Sequence, residues 1–142
     1  MIPAARSTPD DTATRAEAVR ILRDRHCADG GWNYGSTSSK GVDLRGYAQT
    51  TAVALMGLQG EDASLVDPAL RFLQSRWRDE PGGLTLAHAA VALDLHGVEG
   101  ADEIRAALET AFRKTGFLGN LLALGWAALA ASRAAVDGLR SA

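Results

Sequence analysis

The sequence is poor in cysteine and in uninterrupted apolar runs, and each shortage excludes a class of protein. Cys27 is the one cysteine in 142 residues, which excludes an internal disulfide and a zinc site built from several thiolates. No segment reaches the roughly 18 apolar residues of a membrane-spanning helix, because Gly119, Asn120 and Gly125 interrupt the most apolar stretch. The N-terminus also lacks the long apolar core of a secretory signal. We therefore expect a cytoplasmic protein without an integral membrane segment.

The chain also lacks an excess of charge of either sign. Fifteen Lys and Arg face 17 Asp and Glu, so the formal net charge is −2 and no basic surface for nucleic acid is predicted. A hydrophobic fraction of 46% is typical of a globular domain. We assign residues 1–8 to a disordered N-terminus, 9–137 to a single domain and 138–142 to a C-terminal tail.

What the sequence does have is internal repetition. Residues 18–55 and 69–93 share an amphipathic segment, a turn containing Gly-Gly and a second, apolar segment, and residues 101–126 form a third, weaker copy. A unit that cannot bury its own apolar face stacks on its neighbours. The repetition therefore predicts an array of similar units.

The segments alternate between amphipathic and almost wholly apolar, which predicts two layers of helices. The predicted outer helices are Asp11–His26, Pro68–Arg78 and Asp102–Lys114, and the predicted inner helices are Tyr47–Gln59, Leu84–His96 and Leu118–Val136. The polar segment 33–46 is predicted to be a connection, with hardly any strand signal in the chain. We expect an all-α fold of three helical hairpins that form an arc, about half, of an α/α toroid.

The turns between the predicted layers resemble the QW repeat of squalene–hopene cyclases and related terpenoid cyclases, whose fold protein prenyltransferase β subunits share. Ala18, Leu22, Gly30 and Trp32 fit the repeat at its spacing, with His26 in place of its Gln. In the second copy the matching residues are Ala69, Phe72, Leu73 and Gly82, whereas Pro68, Trp77 and Leu84 depart from the pattern. The resemblance implies a structural clasp between outer helices, made by His26, Gly30, Gly31, Trp32, Trp77, Gly82 and Gly83.

The family's proton donor has an incomplete counterpart. Terpenoid cyclases protonate an alkene with the motif Asp-any-Asp-Asp-Thr-Ala, and residues 8–13 match it except at Thr8. Asp10 and Asp11 have two interpretations: an altered acid site, or the acidic first turn of a helix. Their place before a predicted outer helix favours the helix start, since the family's motif opens an inner helix.

The prenyltransferase zinc site is also incomplete. That family uses Asp, Cys and His as ligands, and resemblance places Asp43 and Tyr47 opposite its Asp and Tyr. Leu44 and Arg45 stand where its Cys belongs, and Cys27 is on the wrong side of the turn. We therefore predict no metal and no cofactor, and a buried, inert Cys27.

The remaining ligand candidates are polar or aromatic residues on the predicted inner helices. They are Tyr47, Gln49, Thr51, His88, Asn120 and Trp126. His88 is interpreted either as a core residue or as an acid–base group, and Trp126 as a core residue or as a ligand contact.

Two hypotheses of function follow. The first is a partial toroid that binds an apolar, isoprenoid-type ligand or a partner, either a second copy or a complementary toroid half, and is not catalytically competent alone. The alternative is a terpenoid cyclase or prenyltransferase-like enzyme completed by oligomerisation or by a missing N-terminal half. No catalytic residue is assigned; the weak candidates are Asp10, Asp11, Asp43 and His88.

Overall fold

The structure is a computed structural model that describes residues 9–140. The predictions for residues 1–8 and 141–142 lie outside the described residues. The described elements are α1 (Pro9–Asp24), β1 (Ser38–Ser39), β2 (Val42–Asp43), α2 (Ala48–Gly57), α3 (Ala63–Arg76), a 3₁₀ turn (Trp77–Asp79), α4 (Gly83–Leu95), α5 (Ala101–Thr115), α6 (Leu121–Ala130) and α7 (Arg133–Asp137). The predicted all-α fold class is confirmed.

The core is built around α4. This helix packs against α2 and α6 within one row of helices and against α5 in a second layer. Ten of its thirteen residues are buried, as expected for a helix that is apolar on every side. The Ala-rich sequence of α4 lets its three neighbours approach closely.

The helices after α1 form three hairpins, and α1 belongs to none of them. The pairs of helices in close contact are α2 with α3, α4 with α5 and α6 with α7. The sequence pattern instead placed the first helix, predicted as Asp11–His26, in the outer layer of a first hairpin. The helix α1 buries too little apolar surface to pack against an inner helix. Its apolar residues Ala16 and Ile21 are exposed, and only Val19 and Leu22 are partly buried.

The predicted inner helix Leu118–Val136 is wrong in two respects. The chain breaks it into α6 and α7, since the Ser132 hydroxyl accepts a hydrogen bond from the backbone N–H of Ala135 and so caps a new helix. It is also not buried on all sides, because only Ala123 and Ala130 of α6 are buried and Leu121 is 80% exposed. No further inner helix covers its outward face in the described chain.

Two other boundaries differ from the sequence prediction. Pro68 lies inside α3 instead of in its first turn, because Asp62 begins the helix earlier by accepting a hydrogen bond from Ser64 N at 2.7 Å. Residues 33–46 contain the short antiparallel pair β1–β2. Lys40 and Gly41 both have positive φ at its turn, a geometry that favours a two-residue hairpin.

Candidate functional site

Trp32 is the centre of the turn that precedes α2. Its indole is 3% exposed, and its Nε1–H donates a hydrogen bond to Leu22 O at 2.7 Å. The His26 ring lies 4.7 Å from the Trp32 ring, and His26 Nε2 donates to Gly30 O at 3.0 Å. The residues that the QW resemblance brought together are therefore neighbours in the structure, and they attach the end of α1 to the body.

Glycine is required at this turn because backbone segments approach closely. A Cβ at Gly46 would stand 2.7 Å from Gly31 Cα, and one at Gly31 would stand 2.8 Å from the Phe72 ring. Gly30 has a φ of +91°, which L side chains rarely adopt. Asp29 holds the two arms together by accepting hydrogen bonds from Gly31 N at 3.1 Å and Gly46 N at 2.9 Å. The sequence patterns did not single out Asp29.

The corresponding turn before α4 uses other side chains. Trp77 is buried, and the Arg78 guanidinium lies 4.2 Å from the centre of its ring, a cation–π contact. Gly82 is the residue before α4, and a Cβ at Gly83 would stand 2.7 Å from Leu118 Cβ. The close approach at Gly83 brings the start of α4 against the segment that leads into α6.

The predicted ligand residues at the start of α2 make contacts within the chain. The Tyr47 backbone N–H donates to Trp32 O at 2.8 Å, and the Tyr47 ring lies 5.6 Å from Tyr34. The Thr51 hydroxyl is buried and accepts a hydrogen bond from Trp32 N at 2.9 Å. The Tyr47 backbone and the Thr51 hydroxyl therefore stabilise the turn.

A carboxylate that the sequence analysis missed lies at the same helix end. Glu80 accepts hydrogen bonds from the backbone N–H groups of Ala48, at 2.9 Å, and Gln49, at 3.5 Å. These are unpaired donors in the first turn of α2, where a negative charge is favourable. Because Glu80 is 31 residues away from Gln49 in sequence, no local capping pattern signals it.

His88 and Trp126 are the predicted ligand residues that the structure brings together. Their ring centroids are 4.6 Å apart with the ring planes at 89°, and His88 is 6% exposed. Neither His88 ring nitrogen has a hydrogen-bond partner among the described residues. Burial lowers the pKa of His88, because the charged imidazolium is poorly solvated there. Asn120 instead caps α6, accepting a hydrogen bond from Ala123 N at 2.8 Å.

We expect the stability of the protein to fall as the pH is lowered through the range in which the unfolded chain protonates His88. The folded state binds this proton less tightly, so stability is fully present above the ordinary histidine pKa of about 6.5 and decreases below it until the lowered folded pKa is reached. The slope in that window is at most about 1.4 kcal/mol per pH unit. Urea unfolding between pH 5 and 8 measures it. A His88→Phe variant should lack this component, and parallel pH profiles for the two proteins would contradict the expectation.

The weak catalytic candidates other than His88 are on surface segments. Asp11, in α1, and Asp43, in β2, are exposed. The side chain of Asp10 lies outside the described residues. Cys27 is 1% exposed, and burial, with a smaller contribution from the Asp29 charge, raises its thiol pKa. The structure therefore places no second candidate beside His88 within the described chain.

An apolar concavity lies where α5 and α6 diverge. It is a groove of about 500 Å³ whose apolar walls include Leu108 and Phe112 of α5, Leu124 and Ala127 of α6, and Leu118 between the helices. None of the ligand residues predicted from sequence lines it. From the sequence, the i, i+4 spacing of Leu108 and Phe112 predicts an apolar side of α5. It does not predict that α6 lies far enough from α5 to leave a groove.

The charged residues at one end of this groove are engaged within the chain. The Arg105 side chain is 16% exposed, forms an ion pair with Asp94 and donates from Nε to Ala130 O at 2.7 Å. Burial, with the Arg133 charge second, lowers the pKa of Arg105. Glu109 also lines the groove and pairs with Arg113 at 2.5 Å. The charged end is thereby neutralised, and the groove presents mainly hydrocarbon to a ligand.

Two further observations bear on function. Among the residues that the structure describes, no three His, Cys, Asp or Glu side chains are grouped so that they could hold a metal ion. Residues 9–140 also contain no helix with the length and apolar character needed to cross a bilayer. No protein-family model, curated protein or solved structure matches the chain.

Proposed function

We propose that the chain is a non-catalytic module of the α/α-toroid kind that binds an apolar, isoprenoid-type ligand in the groove between α5 and α6. The observation that carries this proposal is the groove itself, about 500 Å³ in volume with walls made by Leu, Phe and Ala side chains. Small-molecule sites are typically concavities of about 300–1,000 Å³ lined mainly by apolar groups. The class of ligand comes from the QW-like turns around Trp32 and Trp77, which resemble those of isoprenoid-binding families.

The row formed by α2, α4 and α6 supports the toroid part of the proposal. Each of these apolar helices is followed in sequence by a helix that packs against it, and α7 packs against α4 as well as against α6. The same order, repeated three times, is the one expected of neighbouring units in a toroid. The two outer edges of the row are where a complementary toroid half would continue it.

Catalysis is not part of the proposal because the acid candidates whose side chains the structure describes are exposed. Protonation of an alkene requires a strong acid and a dry cavity for the cation. Asp11 and Asp43 are exposed, so neither carboxylate lies in such a cavity. His88, with its lowered pKa, is a poor proton donor at neutral pH.

Calorimetric titration with farnesol, with dodecanol as an unbranched control, tests the proposal. We expect saturable binding of farnesol by the wild-type chain and about tenfold weaker binding by Ala131→Trp. Ala131 is an exposed residue on the groove wall, so a Trp side chain can occupy the groove without entering the core. Ala106→Trp is the matched control, because Ala106 is exposed on α5 and does not line the groove. Absence of farnesol binding, or equal binding by the two Trp variants, would contradict the proposal.

A further inference from the structure

The outward face of α6 is an exposed apolar surface. The helix Leu121–Ala130 contains no charged residue, and Leu121 and Leu122 are 80% and 60% exposed. Phe112 and Phe117, at the end of α5 and in the connection to α6, are each nearly half exposed. We call Phe112, Phe117, Leu121 and Leu122 the α6 patch. Monomeric proteins rarely expose contiguous apolar patches larger than a few hundred Å².

Gly125 indicates what kind of group covers this face. It lies one turn after Leu121 on the same side of α6, and glycine is among the poorest residues for a helix interior. Gly31 and Gly83 are explained by neighbours that a Cβ would approach to 2.8 and 2.7 Å. Gly125 has neither a positive φ nor, among the described residues, any atom within 4 Å of the position of a Cβ. A glycine in that setting fits the close approach of another backbone from outside the chain.

The area of the α6 patch is sufficient for a small specific dimer. A fully exposed Phe side chain presents roughly 150–250 Å², and a Leu side chain presents somewhat less. The four side chains are 45–80% exposed, so together they present on the order of 400 Å² per copy. Two copies would then bury on the order of 800 Å² of apolar surface, and about 65% of a homodimer interface is apolar. The total of about 1,200 Å² is at the lower limit of standard specific interfaces.

We propose that two copies of this chain associate through the α6 patch, with their α6 helices crossing at Gly125 about a two-fold axis. A two-fold places the same residue of both copies at the crossing, so one glycine supplies the close approach on both sides. The absence of charge on α6 means that the two identical surfaces meet without repulsion. The proposal concerns the ligand-free chain, because Phe112 belongs both to the α6 patch and to the wall of the groove proposed to bind an isoprenoid.

Sedimentation velocity of the ligand-free protein across the micromolar range tests the association. We expect a concentration-dependent dimer in the wild type and a dissociation constant at least about tenfold higher in Leu121→Glu and Gly125→Leu. Both residues are exposed, so neither substitution enters the core. Val53→Glu is the matched control: Val53 is a 50% exposed apolar residue on α2, outside the patch, and its variant should dimerise as the wild type does.

Cysteine cross-linking locates the crossing. Mild oxidation should convert Leu121→Cys, one turn from the crossing, into a disulfide-linked dimer, whereas Val53→Cys should remain largely unlinked; Cys27 does not compete because it is 1% exposed. The proposal is overturned if the wild type stays monomeric. A monomer that binds farnesol or an unrelated protein at this face overturns it as well. It is equally overturned by a dimer that survives both patch substitutions or that fails to cross-link through position 121.

Discussion

We expect the substitution Trp32→Ala to lower the free energy of unfolding by about 3–5 kcal/mol, the usual cost of truncating a fully buried Trp. The indole is 3% exposed and its ring contacts the His26 ring, so truncation leaves a cavity in the turn. The hydrogen bond from Nε1 to Leu22 O is also lost, which frees the end of α1 from the body. Urea unfolding at pH 7 followed by far-ultraviolet circular dichroism measures the change.

Tyr34→Ala is the matched control for this prediction. Tyr34 is two residues away in the same turn and is 79% exposed, so its truncation should change stability by less than about 0.5 kcal/mol. A Trp32→Phe variant should fall between the two, since it retains most of the apolar volume and loses the indole N–H. If Trp32→Ala unfolds at the same urea concentration as the wild type, the buried indole and its hydrogen bond to Leu22 O do not stabilise the protein.

The parts of the fold that could be predicted from sequence are those encoded by local patterns. The all-round apolar sequence around His88 predicted the buried central helix, and the resemblance to the QW repeat implied that His26 and Trp32 lie together. Boundaries set by one side chain were missed: Asp62 begins α3 before Pro68, and Ser132 starts a new helix. These depend on which of several competing caps forms, and an apolar pattern does not decide that.

The candidate site could be predicted less well because it depends on distances between helices. Apolar periodicity indicates that Leu108 and Leu124 face the interior. The groove exists only because α5 and α6 diverge between these two residues. Glu80 reaches the start of α2 through the tertiary fold, without a local sequence signal. The apolar sequence of α6 suggested burial, whereas no described element covers Leu121 and Leu122. An apolar helical sequence thus predicts burial, but it does not indicate whether the same chain or another chain covers the helix.

The ion pair between Asp94 and Arg105 connects α4 to α5 at the end of the groove. The two side chains are only 14% and 16% exposed, in contrast to most of the ion pairs of this chain, which are on the surface. Arg105 also donates to Ala130 O at 2.7 Å, so the same guanidinium attaches the C-terminal end of α6. The packing of α4, α5 and α6 therefore depends in part on the Arg105 guanidinium, which has little access to water.

We expect Asp94→Ala to lower the free energy of unfolding by about 2–3 kcal/mol, because the Arg105 charge, which is only 16% exposed, then keeps a single carboxylate partner, the exposed Asp102. Asp102→Ala is the matched control: Asp102 also pairs with Arg105, at 2.7 Å, but is 73% exposed, so its loss should cost less than about 1 kcal/mol. The double variant Asp94→Ala/Arg105→Met removes the incompletely paired Arg105 charge and should recover part of the loss, which separates the electrostatic cost from lost packing. Urea unfolding of the four proteins at pH 7 measures these differences. A double variant as unstable as Asp94→Ala would show that the hydrogen bond to Ala130 and the packing of the Arg105 stem, and not the buried charge, hold the three helices together.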